Sequence, residues 1–382
     1  MASRTVDVLA VGPPSADPYD PAASAWALAG GLAARGDDVV VLYPPGAAES
    51  APPDGARGVP VPVPLRRPGA AVEGAEFTAA AAKKVRRTAD VVLRDPAGLG
   101  RLGIRRAAGG RPIVAGFVRG IELVAFDAER TGHTHVGLRD RLDTWRDRRA
   151  VRRLEEAALK EADRLFYDTP RLPTALRDAY GLVERRFRPA LPAVALLAPI
   201  PSRDDARASF RIPTDVPVVL APAPYESPEL SGTDRAREAF RRVRSFFPGS
   251  RLVVSGTTGP ADPGVIYAPE RDRATLARGL AAADVVVFDR RRVGFDPGAV
   301  LAMRAGRCVI LGPEVRLPVE PGPAARIVAS DDPGEFASVL AELLADPAAR
   351  RAVAAAAERY AAPYDPARVA ESVATGTEPG AG

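Results

Sequence analysis

The chain has 382 residues, of which 46% are apolar and 26% charged, and its formal net charge is +5. Because a single core rarely grows beyond about 250–300 residues, this length favours two domains. A lone cysteine, Cys308, excludes an intrachain disulfide and a cysteine-based zinc site. The chain has no Asn or Gln, so polar recognition must use the backbone, hydroxyls, carboxylates, Arg or His.

The opening segment predicts one β-loop-α-β unit. Val6–Val11 is a short apolar run typical of a buried parallel strand. Asp20 is a candidate N-cap for a helix that continues to about Ala34 and that Gly36 ends. Val39–Leu42 is the next strand. Sheets built from such units bind ligands at the carboxyl ends of their strands.

The rest of the first half continues this alternation of strands and helices. The predicted strands are Val61–Pro64, whose prolines favour a sheet edge, Val91–Leu93, Ile113–Phe117 and Leu165–Tyr167. The predicted helices are Glu73–Arg87, Arg139–Ala162 and Pro170–Tyr180.

A proline-rich segment separates the two halves. Residues 187–202, FRPALPAVALLAPIPS, carry four prolines without helical periodicity, which predicts a connection between domains. A second α/β pattern follows. Its predicted strands are Val216–Ala221, Arg251–Ser255, Val285–Phe288, Cys308–Leu311 and Arg326–Val328. Its predicted helices are Asp234–Phe246, Ala274–Ala282, Gly298–Ala305, Asp332–Leu344, Pro347–Tyr360 and Pro366–Val373.

Three segments of the chain carry a recognisable pattern. They are LAGGLAARGDDVVVLYPP, LARGLAAADVVVFDRRRVGFDPGAVLAMRAGRCVIL and AARIVASDDPGEFASVLAELLADPAARRAVAAAAERYAAPYDPARVAES. Together they resemble glycosyltransferases of the GT-B fold, in particular the large retaining, family 4-like group. The first is similar to the opening unit of that group and the third to its ending, and the second resembles its donor-site core, in which E-G-F-G-x-x-x-x-E-A-M-A-x-G lies between two strands. The resemblance covers nearly the whole chain in order and spacing.

The resemblance implies an α/β protein of GT-B architecture, with two Rossmann-like domains, an interdomain cleft and a C-terminal helix crossing back to the first domain. The expected boundaries are an N-terminal acceptor-side domain over 1–188, a linker over 189–202, a C-terminal nucleotide-sugar-side domain over 203–362, and the returning helix and tail over 363–382.

The donor-site motif is degenerate in this chain. The positions that match the family pattern are Gly294, Phe295, Ala302, Met303 and Gly306. The two glutamate positions are occupied by Val293 and Leu301. The segment Ala221–Gly232 contains no Arg or Lys, although the family places its phosphate-binding Arg and Lys there.

The resemblance implies that the donor is bound by residues around the second-domain motif: Arg290, Arg291, Gly294, Phe295, Gly298 and Ala299. A helix that opens at Gly298 offers free amides and a helix dipole to a phosphate, unless this is an ordinary strand-to-helix turn. Arg290 and Arg291 are candidate replacements for the missing clamp, and the alternative is a solvated basic loop. Arg304, farther along the same helix, is predicted to lie on the surface.

The first domain offers a catalytic candidate and an acceptor-side loop. Arg119 occupies the position of a family histidine at the end of a predicted central strand, where it could bind a phosphate or an acidic acceptor. The alternative is an ion pair with Glu122. Asp17 and Asp20 lie in the acceptor-side loop and could contact sugar hydroxyls, although capping also accounts for Asp20.

No metal site is expected. His133 and His135 are the only histidines, and no third ligand accompanies them. The Arg-rich stretch 139–153 is interleaved with Asp, which favours a solvent-exposed, ion-paired face over one that binds anionic lipid.

Two functions follow from the resemblance. The first is a divergent transferase that moves a sugar from a nucleotide-sugar donor, UDP- or GDP-linked, to an unknown acceptor. The second is a catalytically silent partner or scaffold of an active glycosyltransferase-like subunit.

We expect no cofactor, no nucleic-acid partner and at most peripheral contact with a membrane. The chain opens without a signal-peptide pattern and contains no long apolar run, which predicts a cytoplasmic location.

Overall fold

A computed structural model describes residues 3–10, 12, 22–45, 51–63, 70–94, 102–103, 112–118, 138–196, 199–223, 232–290 and 294–378. These residues form two compact units. The first consists of the described residues up to Ala193 together with those from Pro366 onward, and the second consists of Val194–Asp365.

The first unit contains seven strands and five helices within its described residues. Its strands are β1 Thr5–Leu9, β2 Asp38–Tyr43, β3 Ala56–Pro60, β4 Val91–Arg94, β5 Ile113–Val118, β6 Arg164–Tyr167 and β7 Phe187–Pro189. Its helices are α1 Ala23–Ala34, α2 Ala70–Ala82, α3 Leu138–Glu161, α4 Leu172–Tyr180 and, from the end of the chain, α11 Pro366–Gly376.

The sheet of the first unit is entirely parallel. Its strand order is β3-β2-β1-β4-β5-β6-β7, so the chain builds outward from β1 in one direction and then from β4 in the other. The strand Val91–Arg94 is buried on both faces, as expected where helices cover a parallel sheet. This is the doubly wound α/β topology that the sequence predicts.

The last helix belongs to the first unit. α11 packs directly against α1, and the two backbones approach most closely at Gly31, where an added Cβ would lie 2.2 Å from the carbonyl oxygen of Pro366. Arg4 donates to the carbonyl oxygen of Ala374 at 3.1 Å and to Thr377 at 3.0 Å. The predicted return of the C-terminal helix to the first domain is therefore confirmed.

The second unit also alternates strands and helices. Its strands are β8 Val218–Pro222, β9 Arg251–Ser255, β10 Val265–Ala268, β11 Val285–Phe288, β12 Gly294–Phe295, β13 Cys308–Leu311, β14 Val315–Arg316 and β15 Arg326–Ile327. Its helices are α5 Arg203–Ser209, α6 Thr233–Arg244, α7 Arg273–Ala282, α8 Pro297–Arg304, α9 Pro333–Ala345 and α10 Pro347–Ala361.

Six of these strands form a parallel sheet of order β10-β9-β8-β11-β13-β15, while β12 and β14 pair separately. The direction of winding reverses between β8 and β11. In open sheets of this kind, ligands bind outside the carboxyl ends of the strands at such a reversal.

The structure differs from the sequence predictions at several elements. Residues 187–189 form strand β7 of the first sheet and not part of the connection. The edge strand β3, Ala56–Pro60, precedes the predicted Val61–Pro64. The strand Val265–Ala268 and the helix Arg203–Ser209 were not predicted.

Candidate functional site

The candidate site lies at the winding reversal of the second unit. β8 ends at Pro222, and β11 ends at Phe288, directly before Asp289. Asp289 is only 6% exposed, although it follows the carboxyl end of a strand, where polar residues usually meet solvent. A buried carboxylate needs a partner, and Arg235 in the first turn of α6 provides it.

The Arg235 guanidinium donates two hydrogen bonds to the Asp289 carboxylate. Nε donates to Oδ2 at 2.7 Å and Nη2 donates to Oδ1 at 2.5 Å. Nη2 also donates to the carbonyl oxygen of Arg290 at 2.6 Å. The remaining nitrogen, Nη1, forms an ion pair with Asp331, whose side chain is 72% exposed. Arg235 is thus anchored on one side by a buried carboxylate and faces a replaceable surface carboxylate on the other.

Two glycines make room for the Asp289 side chain. A Cβ placed on Gly232 would lie 2.2 Å from Oδ2 of Asp289, and one placed on Gly312 would lie 2.2 Å from Oδ1. Any larger residue at either position would displace the carboxylate that orients Arg235. Gly232 immediately precedes α6, so the same residue places the Arg235 turn against β11.

The N-terminus of α8 is already capped. Asp296, which is 1% exposed, accepts hydrogen bonds on Oδ1 from the amides of Gly298 at 2.9 Å and Ala299 at 3.4 Å. The expectation that these two amides are free to hold a phosphate is therefore corrected, because a side-chain carboxylate already accepts from both. A role for Gly298 and Ala299 in donor binding stays a prediction.

Burial dominates the electrostatics of Asp296. It raises the pKa of the carboxyl above the usual 3.8, although the charge of Arg290 and the two amide hydrogen bonds act in the opposite direction. Oδ2 has no hydrogen-bond partner within the described part of the chain. Burying the ionised form of Asp296 therefore lowers the free energy of unfolding.

Replacing Asp296 with Asn is expected to stabilise the protein near pH 7, because the neutral amide removes the cost of burying a carboxylate charge, while its Nδ2 stays without a partner as Oδ2 does. Since the folded-state pKa is raised, this cost is present above the folded pKa and absent below pH 3.8, where the group is protonated in both states. Asn retains the cap. Urea unfolding at pH 7 and below pH 3.8 measures the difference.

Asp346→Asn is the matched control, because Asp346 caps α10 from the same Asp-Pro context but is exposed. Its pKa is lowered by hydrogen bonds from the amides of Ala349 and Ala348. The stability that this carboxylate adds is present above pH 3.8 and is lost on acidification, so this variant should be less stable at pH 7. Equal destabilisation of both variants would contradict the predicted cost of Asp296.

The rest of α8 is structural. Leu301, at one of the family's glutamate positions, is 3% exposed and packs in the core. Arg304 was predicted to lie on the surface, but its side chain is only 8% exposed and pairs with Asp365 at 2.5 Å. It also donates to the carbonyl oxygen of Val194.

Burial raises the pKa of Cys308 to about 12, so this thiol stays protonated and is no nucleophile.

The structure locates some of the predicted site residues and not others. Arg290 follows Asp289, and Gly294 and Phe295 form β12, which pairs with β14. The remaining predicted residues lie outside the described part of the chain: Arg119, Arg291, Asp17, Asp20, His133 and His135.

Arg235 and Asp289 were missed by the sequence reasoning. A signal was present, since Asp289 directly follows the apolar run Val285–Phe288 at the carboxyl end of a predicted central strand. The partner, 54 positions earlier, could not be identified from sequence spacing.

Two searches of the described residues, one for metal sites and one for membrane-spanning helices, found none. Among the described residues, no group of three or more His, Cys, Asp or Glu side chains could hold a metal ion. None of the helices in the described ranges is both long enough and apolar enough to cross a bilayer.

The two doubly wound units, each with a parallel sheet, constitute the GT-B fold of glycosyltransferases. Solved structures share it over almost their whole length. WaaG, a glycosyltransferase involved in lipopolysaccharide biosynthesis, is 19% identical with a TM-score of 0.70, over 97% of this chain and 98% of that one. Sucrose-phosphate synthase from Thermosynechococcus elongatus is 18% identical with a TM-score of 0.69, over 97% and 98%.

The relatives found by sequence are also named glycosyltransferases. D-inositol 3-phosphate glycosyltransferase 1 of Catenulispora acidiphila is 29% identical over 234 residues, which are 55% of this chain and 56% of the relative. The chain thus spans about half the length of the curated relatives it matches. No family model matches the chain.

Proposed function

We propose that this protein is a retaining glycosyltransferase that takes a sugar from a nucleotide-sugar donor, UDP- or GDP-linked, bound at the winding reversal of the second unit. The observation that carries the proposal is the geometry of Arg235. Its guanidinium is fixed by buried Asp289 and directs one nitrogen, Nη1, at the exposed carboxylate of Asp331.

This geometry suits a diphosphate. An ion pair with an exposed carboxylate contributes little to stability, so a phosphate oxygen can replace Asp331 at small cost. An anchored guanidinium loses little conformational entropy when it binds, and its planar fork matches phosphate oxygens. When the glycosidic bond to the donor breaks, negative charge develops on the leaving diphosphate, and a fixed positive charge there lowers the barrier.

The comparisons support the general class. The sequence relatives are named glycosyltransferases, and the structural neighbours share the fold. D-inositol 3-phosphate is part of the name of those relatives, and it gives a first acceptor to test here. The fold by itself hosts many functions, so the donor and the acceptor rest on the site.

A catalytically silent partner is the second candidate, and a specific observation favours it. Asp296 occupies the α8 amides with a carboxylate, which disfavours an anion at that helix end. Leu301 is buried in the core where the family pattern has a glutamate. In this alternative the chain binds and positions a second, active glycosyltransferase-like subunit.

Calorimetric titration with UDP, GDP and their hexose conjugates tests the proposal. We expect saturable binding by the native protein and a tenfold to hundredfold loss in Arg235→Ala, about the energy of one charge-assisted hydrogen bond. Asp331→Ala should bind more tightly because it frees Nη1. Arg290→Ala and Arg291→Ala test the two residues proposed from the sequence.

Arg242→Ala is the matched control for Arg235→Ala. It lies on the same helix and its Nη1 lies 4.0 Å from Asp332, the residue after Asp331. This variant should bind nucleotides as the native protein does. Absence of heat and of thermal stabilisation with every nucleotide, combined with co-purification of a second glycosyltransferase-like chain, would favour the silent-partner alternative.

A further inference from the structure

Asp296 differs from the other Asp-Pro caps of the second unit because it is buried. Asp332 and Asp346 cap α9 and α10 in the same context, and both are exposed to solvent. Asp296 is 1% exposed, and its Oδ1 accepts from two amides at the start of α8. Its Oδ2 has no hydrogen-bond partner in the described part of the chain. Capping alone does not account for this burial, because exposed carboxylates cap the other two helices.

The Asp296 side chain lies close to the proposed donor site. Among the described residues, Arg290 is the charged group that acts on the Asp296 carboxyl, and it favours the ionised form. The carbonyl oxygen of Arg290 accepts from Arg235 at 2.6 Å, so the start of α8 and the Arg235 guanidinium share this neighbour. The other buried carboxylate at this sheet edge, Asp289, is already paired with Arg235. An anion bound at Arg235 is therefore repelled by ionised Asp296.

Protonation of Asp296 removes this repulsion and keeps the cap. Like charges repel more strongly in the protein interior than in water, and a bound diphosphate also competes for the charge of Arg290. Burial raises the pKa of this carboxyl even without a ligand. In the neutral acid, Oδ1 still accepts from the two amides, so the proton is carried by Oδ2. The oxygen without a partner then becomes a hydrogen-bond donor.

We propose that the nucleotide-sugar donor binds with Asp296 protonated, so that donor binding takes up one proton from the solvent and donor release returns it. This inference rests on the proposed function, because it concerns the same site. Enzymes use a neutral carboxyl in an apolar environment to offer a hydrogen bond to a developing anion. Ionised Asp296 disfavours anions at the site, and the affinity for the donor therefore rises as the pH falls.

Calorimetric titration with UDP-hexose and GDP-hexose, between about pH 5 and 8, tests this coupling. Nucleotide sugars are suitable probes because they lack a terminal phosphate, which itself titrates at about pH 6. Above the pKa of Asp296, the affinity of the native protein should fall by up to about tenfold per pH unit, the limit for one proton. Titrations in two buffers of different ionisation enthalpy, neither of them phosphate, should show the uptake of up to one proton.

Asp296→Asn should abolish both effects, because the amide is neutral at every pH and retains the cap. This variant should keep the low-pH affinity of the native protein throughout the range. Asp296→Ser, a smaller neutral cap, should behave in the same way and provides a second variant. Asp346→Asn is the matched control, because it removes the charge of an exposed cap in the same unit. It should keep the native pH dependence.

Donor binding by the native protein without proton uptake, or with equal uptake in Asp296→Asn, would overturn this inference and leave the proposed function standing. Weaker binding by Asp296→Asn than by the native protein at the upper end of the pH range would also overturn it, because the ionised carboxylate would then favour the donor. If the native protein and both neutral variants fail to bind any nucleotide sugar, the proposed function is overturned together with this inference.

Discussion

Replacing Arg207 with Ala is expected to lower the free energy of unfolding of the second unit by about 3–5 kcal/mol, the cost of breaking a buried ion pair. Arg207 lies in α5 and is 0% exposed. Nε donates to the carbonyl oxygen of Ala282 at 3.1 Å, and Nη1 donates to those of Thr214 at 2.6 Å and Val216 at 2.9 Å. Nη2 donates to Asp284 at 2.9 Å.

The loss is large because fully buried Arg207 donates to several acceptors at once, among them a carboxylate whose side chain is only 8% exposed. Asp284 also accepts from the amide of Val218 at 2.8 Å, and its side chain is only 8% exposed. Arg203→Ala is the matched control. Arg203 pairs with the other oxygen of Asp284 at 2.6 Å, but its side chain is 48% exposed, so we expect a loss of about 1 kcal/mol or less. Urea unfolding measures both variants, and similar losses in the two would contradict the prediction.

Replacing Gly31 with Val should destabilise the first unit by about 3 kcal/mol, the upper range for overpacking. A Cβ on Gly31 would lie 2.2 Å from the carbonyl oxygen of Pro366 and 2.6 Å from its carbon. Both are backbone atoms at the start of α11, so relief requires the helix to move. That movement would expose Val369 and Val373, which are 3% and 1% exposed.

Hydrogen exchange separates detachment of α11 from global unfolding. In Gly31→Val the amides of α11 should exchange faster than those of the sheet. Gly116→Ala is the control in the same unit, because its added Cβ would lie 3.6 Å from Leu165, an ordinary contact. Unchanged protection of α11 in Gly31→Val would show that the two helices do not depend on this close approach.

Continuous apolar runs made the central strands of the second unit predictable. The strands β9, β11 and β13 have the bounds that the sequence indicates, because each is buried on both faces. The strand Val265–Ala268 lies at a sheet edge and is mostly half-buried, so its apolar signal is short. The helix Arg203–Ser209 was missed because Arg207, one of its buried residues, is charged.

The candidate site was less predictable because its central contacts are long-range. The turn at Gly298 was correctly placed, but the sequence could not show that Asp296 would turn its carboxylate onto the amides of the next helix. The pairing of Arg235 with Asp289 depends on the adjacency of β8 and β11 and on the missing side chains of Gly232 and Gly312. Local patterning does not encode such contacts.

The placement of α11 also orders events during synthesis. The first unit receives its last helix only after Val194–Asp365 has been translated. At the usual ribosomal speed this interval lasts roughly 10–30 seconds, during which the face of α1 around Gly31 has no partner helix. Until the ribosome delivers that helix, the nascent first unit lacks the packing partner of this face.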